Sequence, residues 1–199
     1  MERTFNTPKP VRLVVENESG LVTVHAVAGV AGTTTTVSVT AETPGAEELV
    51  ERTTVECRPL GDTHTVVVKV PRQHGMRFLR RHAVNVRVEV PEGSDVELAT
   101  AAADIEVTGT VGAADITTAS GDVSTDDIAD GLRATTASGN VIVGTVTGKL
   151  RMRSASGDLR CTRATGRVDC ASTSGDVEIG AADGTVEVHA TSGNVHCAE

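Results

Sequence analysis

Apolar and polar residues alternate through the second half of the chain in short blocks, each opened by a glycine. Gly175-Asp176-Val177-Glu178-Ile179 and Gly184-Thr185-Val186-Glu187-Val188 show the form. Alternation over five residues marks a half-buried strand, and the glycines mark the turns between strands. Gly148, Gly157, Gly166, Gly175, Gly184 and Gly193 lie nine residues apart, and Gly112 and Gly121 keep that spacing. A longer period of eighteen is also explicit. Ser120-Gly121-Asp122 returns as Ser138-Gly139-Asn140, Ser156-Gly157-Asp158, Ser174-Gly175-Asp176 and Ser192-Gly193-Asn194, with a decayed copy, Ala102-Ala103-Asp104, one period upstream. A fixed period of this size means one structural unit stacked on the next. The pattern predicts an all-β chain: a parallel β-solenoid of the β-helix or β-roll kind, with 18-residue coils of two short strands.

The columns agree. Val123, Val141, Leu159, Val177 and Val195 share one inward position, and Thr125, Val143, Cys161, Ile179 and Cys197 share the next. On the other strand they are Ala114, Leu132, Leu150, Val168, Val186 and Ile116, Ala134, Met152, Cys170, Val188. All are apolar or small. Outward positions pair by charge: Arg151 falls beside Asp169 and Arg160 beside Glu178, which supports the register. The step from Gly131 to Leu132, against Gly148-Lys149-Leu150, reads as one shortened turn.

Residues 1–95 are less regular but still β, and read as a cap region continuous with the solenoid. Residues 96–199 read as about six coils. Strands are expected over 11–15, 21–24, 35–40, 65–70 and 84–90, with a two-turn helix at 46–52. Pro71 and Pro91 end two strands, because proline cannot donate to a ladder.

Composition narrows the class. Two Phe and no Tyr or Trp leave 1% aromatics, as a thin core between sheets about 10 Å apart requires. The first ten residues hold no apolar signal segment, and no run of about 18 apolar residues exists to span a membrane. Cys161 and Cys197 sit two coils apart, too far for a disulfide. Unpaired thiols suit a reducing compartment, so the expected location is cytoplasmic, peripheral to the membrane at most.

Val86-Arg87-Val88-Glu89-Val90-Pro91, leading through Gly93-Ser94-Asp95-Val96 into the Ser-Gly-Asp/Asn-Val repeats, resembles the DUF4097 group. These are toastrack-type β-repeat proteins that also carry an adhesin label. The resemblance covers nearly the whole chain. It implies a β-solenoid, often attached to membrane segments near envelope-stress modules, and it carries over no catalytic residues.

Candidate chemistry is sparse. The turn ladder Asp104, Asp122, Asn140, Asp158, Asp176, Asn194 invites comparison with calcium β-rolls, but those need Gly-Gly-x-Gly-x-Asp turns and six to eight oxygens. The simpler reading is structural: Gly121, Gly139, Gly157, Gly175 and Gly193, with the Asp/Asn that follow, supply positive-φ turns and local hydrogen bonds. The column Ser120, Ser138, Ser156, Ser174, Ser192 has no recurring base beside it. A hydroxyl ladder satisfying turn backbone is the better account. No histidine pair has ligand spacing, and no metal or other cofactor is expected. Lys149, Arg151, Arg153 and Arg167 with Asp169 form a charged band. Without aromatic sugar platforms it reads as a solvated face with cross-coil pairs rather than a polysaccharide-acting enzyme.

The segment Arg72-Gln73-His74-Gly75-Met76-Arg77-Phe78-Leu79-Arg80-Arg81-His82 breaks the pattern. It is basic on a chain of net charge −9, with Met76, Phe78 and Leu79 interleaved. That suits contact with an acidic protein partner or an anionic membrane surface; the alternative is a solvated loop with apolar anchors. Nucleic acid is disfavoured by the charge and the missing aromatics. The last coil reads as an open edge, through which two chains would join as a homo-oligomer or which would accept a strand from a partner. The chain is thus expected to be a non-catalytic scaffold or interaction module, with a surface adhesin for carbohydrate or matrix as the alternative.

Overall fold

The computed structural model describes residues 1–29, 33–72 and 82–198. Two long bent strands, β2 (Arg12–Val27) and β7 (Asp95–Val111), each form a full coil. Between them lie β3 (Thr34–Ala41), α1 (Glu47–Arg52), β4 (Thr54–Leu60), β5 (Thr63–Lys69) and β6 (Val84–Pro91), and β1 (Glu2–Asn6) precedes them all. Past β7 each coil splits into an even and an odd strand: β8 (Ala114–Thr117) and β9 (Val123–Ile128), β10 (Leu132–Thr136) and β11 (Val141–Val146), β12 (Leu150–Ser154) and β13 (Leu159–Ala164), β14 (Val168–Ser172) and β15 (Val177–Ala182), β16 (Val186–Ala190) and β17 (Val195–Cys197).

Even strands pair in parallel with even, and odd with odd. Leu132 aligns with Ala114 and Leu150, and Val141 with Val123 and Leu159, so every coil advances by the period of eighteen. The turn before Leu132 is therefore not shortened. Gly131 stacks on Lys149 and Gly148 on Asp130; the glycine has moved by one position while the coil length stays constant. The bent β7 joins both sheets, through Val96 beside Ala114 and Ile105 beside Val123. β2 lies beneath it in register, Leu13 beside Val96 and Val22 beside Ile105. Residues 12–27 are thus a further coil, separated from the rest in sequence by the segment that caps the stack. There β5 and β6 continue the two sheets in parallel with β2, and β4, β3 and β1 close them in antiparallel fashion.

The four predicted columns form the core. Val141, Val143, Leu159, Leu150, Met152, Val168 and Cys170 are fully buried. Only the last coil differs: Val186 and Val188 are half-buried, and Val195 is 47% exposed. Two inward columns were not anticipated. One is apolar, Ile128, Val146, Ala164 and Ala182. Odd strands skip a residue after Thr125 and Val143, so pairing resumes at Asp127 and Thr145, and the inward spacing widens from two to three. The other is a hydroxyl column, Thr118, Thr136, Ser154 and Ser172, buried at the ends of the even strands. Thr125 is buried among apolar neighbours, and among the described residues its Oγ1 is the buried side-chain polar atom without a hydrogen-bond partner.

Candidate functional site: the corner ladders and the even-strand face

Of the basic segment, His74, Met76, Arg77, Phe78, Leu79, Arg80 and Arg81 lie outside the described residues. His82, at its end, places Nδ1 3.2 Å from the Pro44 carbonyl. Arg72 lines a hollow with Glu16, Glu18 and Val70.

The turn ladder is continuous. The backbone N–H of Asp122 donates to Oδ1 of Asp104 at 2.9 Å, Asn140 to Asp122 at 2.8 Å and Asp158 to Asn140 at 3.0 Å. Asp176 donates to Asp158 at 2.9 Å and Asn194 to Asp176 at 2.7 Å. Each carboxylate or amide oxygen is therefore spent along the stack axis on the next coil, rather than gathered about a common centre. Asp and Asn serve equally because the ladder uses the acceptor oxygen; at the last step Asn194 Nδ2 adds a donation to Asp176 Oδ1 at 3.2 Å.

Two expectations at this corner need correction. Gly121, Gly139, Gly157, Gly175 and Gly193 do not have positive φ. A Cβ on Gly139, Gly157, Gly175 or Gly193 would fall on the carbonyl oxygen of the glycine one coil earlier, and on Gly121 it would fall on that of Ala103. The glycines are there for close approach between coils, not for left-handed backbone. The serine column is also not the hydroxyl ladder. Those serines are exposed, and Ser120 makes one long bond, 3.3 Å, to the Ala101 carbonyl. The hydroxyls that satisfy the turn sit three residues before each glycine. Gly121 N–H donates to Thr118 at 3.0 Å, Gly139 to Thr136 at 2.9 Å, Gly157 to Ser154 at 2.7 Å and Gly175 to Ser172 at 2.9 Å. In the sequence these hydroxyls form a mixed Ser/Thr column of period eighteen, less uniform than the all-serine column beside it.

The buried thiols are inert. Burial pushes Cys161 up to about 11 and Cys170 up to about 12, the latter helped by Cys161 across the core. Cys57 is also raised by burial, and all four cysteines are free, with Cys197 exposed.

Charge is distributed unequally between the two outer faces. On the odd strands of the repeats, Arg160 pairs with Glu178 at 3.2 Å and Arg163 with Asp183 at 2.9 Å. On the even side, Arg151 pairs with Asp169 at 2.9 Å and Arg167 with Glu187 at 2.7 Å. The Arg151 hydrogen bond holds the Asp169 carboxyl below the usual range, and the charges of Arg153 and Lys149 add to the effect. Arg133, Lys149 and Arg153 themselves have no ion-pair or hydrogen-bond partner among the described residues. Lys149, Arg151 and Arg153 alternate along and just before β12, so all three project outward, and Arg133 is the direct neighbour of Arg151. The band lies between two shallow hollows. One, of about 440 Å³, includes Arg12, Glu97, Asp115, Asp130, Arg133 and Lys149. The other, of about 430 Å³, includes Arg153, Ala155, Ala171, Thr173, His189 and Thr191.

The family model Toastrack DUF4097 matches residues 12–199. No curated protein matches the chain. Among solved structures the chain is similar to a "putative lipid binding protein" from Parabacteroides distasonis, at 15% identity and TM-score 0.48, covering 100% of this chain and 96% of that one. It is similar to a "putative adhesin" from Bacteroides fragilis, at 16% identity and TM-score 0.46, with coverage of 100% and 96%. It is also similar to a "putative cell adhesion protein" from Clostridium sporogenes, at 8% identity and TM-score 0.43, with coverage of 99% and 98%.

Proposed function

The chain belongs to the Toastrack DUF4097 family, and on that premise we propose that it is a non-catalytic interaction module whose working surface is the outer face of the even-strand sheet. One observation carries this reading. Arg133, Lys149 and Arg153 stand unpartnered on that face, whereas Arg160 and Arg163 on the odd strands are each neutralised by a carboxylate of a later coil. Like charges on adjacent strands are unfavourable. Arg133 nevertheless stands beside Arg151 on one side, and with Asp115 opposite it on the other it forms no ion pair among the described residues. The rest of the structure supports display rather than chemistry. The ladders and the close-packed glycine corners fix the spacing of the outward side chains, and the buried thiols are held protonated.

The test places a photo-crosslinking residue at Thr135, on the even face, and separately at Thr162, on the odd face, and irradiates intact producing cells. Adducts from Thr135 and not from Thr162 are expected. Equal labelling from both faces, or none from Thr135, removes the assignment.

A further inference from the structure

Resting on that reading, we propose that the basic band binds a linear polyuronate, an acidic polysaccharide whose carboxylates are held by Arg133, Lys149 and Arg153, with Arg151 between the last two tied to Asp169. Spacing is the first argument. Outward residues on one strand repeat every second residue, so Lys149, Arg151 and Arg153 are spaced about 6.7 Å apart along the strand and span about 13 Å. An extended polyanion lying along β12 meets Lys149 and Arg153, with Arg151 between them tied to Asp169, and Arg133 adds a third unpaired cation from β10. Arginine also presents the planar fork that matches a carboxylate with two parallel hydrogen bonds.

The surroundings select among polyanions. The surface beside Arg153 is formed by small and hydroxylated residues, Ala155, Ala171, Thr173 and Thr191. Thr173 and Thr191 offer hydroxyl partners to a sugar ring. Asp115 and Glu97 lie at the other margin with Arg133. Carboxylates there accept hydrogen bonds from sugar hydroxyls, which a uronate ring carries and an inorganic polyphosphate does not. Phe5 lies on β1 and not on the even strands of the repeats, so among the described residues no phenylalanine stacks a base there. The described exposed large apolar residues Met1, Leu21, Leu60, Ile142 and Val195 also lie off β8, β10, β12, β14 and β16. That leaves the face without the apolar groups that insert into a bilayer.

The experiment measures binding of alginate and polygalacturonate oligosaccharides by calorimetry at about 50 mM salt, where electrostatic contacts are still strong. The proteins compared are wild type, Arg133→Gln/Lys149→Gln/Arg153→Gln, and Arg160→Gln/Arg163→Gln. The first three side chains are exposed and unpartnered, so the triple variant is expected to melt as wild type does; single substitutions replace it if it does not. The expected result is salt-sensitive binding by wild type, weakened about tenfold or more in the triple variant and within about twofold of wild type in the odd-face variant. Absence of wild-type binding to both polymers overturns the inference. So does equal binding by the triple variant, or tighter binding to oligothymidylate or phosphatidylglycerol vesicles than to either polyuronate. If the polyuronates fail while Thr135 still gives face-specific adducts, the polysaccharide is wrong and the contact surface stands. If both fail, the proposed function falls with it.

Discussion

Each coil turns twice, and the two corners are held by different means. At the Ser-Gly-Asp/Asn corner, between an even strand and its odd partner, three constraints coincide at nearly every level. A glycine is crowded by the carbonyl below, its N–H is taken by a buried hydroxyl, and the next N–H is taken by the Asp/Asn of the coil below. At the opposite corner the stack rests on backbone bonds, such as Thr147 N–H to Ile128 at 2.7 Å and Thr165 N–H to Val146 at 3.0 Å. Side chains help there only locally, as where Asp95 accepts from Ala113 at 2.8 Å. Gly131 and Gly148 adopt positive φ, while Gly166 and Gly184 are crowded by the coil beneath. One corner therefore repeats in sequence and the other drifts, through Asp130-Gly131, Gly148-Lys149, Gly166-Arg167 and Gly184-Thr185. Strict periodicity marks the place where side chains, not only backbone, carry the contact between coils.

The largest expected effect breaks this comparison directly. Gly157→Ala puts a Cβ on the Gly139 carbonyl, so two coils must separate locally, with loss of the Ser154 and Asn140 bonds. A cost of about 3 kcal/mol or more is expected, in the range of severe packing and network defects. Gly148→Ala meets Asp130 backbone only at 3.3 Å and mainly incurs the cost of φ +88°, about 1–2 kcal/mol. Urea unfolding of both variants ranks them. If Gly148→Ala proves the more damaging, left-handed backbone rather than coil crowding governs the stack.

The architecture was legible because the period is redundant. Val141, Leu159 and Val177 state the same column that Leu132, Leu150 and Val168 state for the other sheet, and the pairs Arg151–Asp169 and Arg160–Glu178 fix the register independently. What stayed hidden has physical causes. Ile128, Val146 and Ala164 escaped because a skipped residue in the odd strands shifts the inward spacing from two to three, which a period-two rule cannot follow. The role of the corner glycines escaped because sequence shows that a Cβ is absent, not whether φ or a neighbouring carbonyl forbids it. That β2 forms its own coil stacked on β7 shows in sequence only through Ser19-Gly20-Leu21-Val22, which resembles the later turns, since 67 intervening positions, residues 28–94, separate the two strands. On the even face the band of Lys149, Arg151, Arg153 and Arg167 was visible. Which members are paired was not, because that depends on whether an acid stands one coil away and within reach.

Smaller effects sharpen the account through the sign of a substitution. Thr136 and Thr125 are both buried threonines of adjoining strands. Thr136 accepts from Gly139 at 2.9 Å, and Thr125 has no partner. Thr136→Val strands the Gly139 N–H and is expected to cost about 1–3 kcal/mol. Thr125→Val removes an unsatisfied hydroxyl from an apolar column at nearly constant volume and is expected to stabilise by about 1 kcal/mol. Thermal melts with calorimetry decide the signs. Destabilisation by Thr125→Val would mean that its hydroxyl is satisfied in solution. Asn140→Ala falls between them, near 1 kcal/mol, because it deprives the exposed corner N–H of Asp158 of one acceptor and leaves it open to water.

The smallest effect concerns charge and returns to the even face. The Asp169 carboxyl is held below its ordinary value first by the hydrogen bond from Arg151, with Arg151, Arg153 and Lys149 adding charge. In the unfolded chain that carboxyl titrates at its ordinary value, 3.8. The unfolded state therefore takes up the proton first as pH falls. The stabilisation is complete above that pH and is lost as pH drops through the lower folded value. Partial exposure of both partners, 33% for the Arg151 side chain and 18% for Asp169, limits the contribution to about 0.2–1 kcal/mol. Asp169→Asn is accordingly expected to lower stability slightly at neutral pH and to flatten the acid limb of the stability curve below the ordinary carboxylate value. Lys149→Gln/Arg153→Gln should flatten the same limb by less, because those two cations act on Asp169 only through space. If Asp169→Asn leaves that limb unchanged, Arg151 is free in solution to join its unpaired neighbours, and the even face carries a stronger positive charge than its two ion pairs imply.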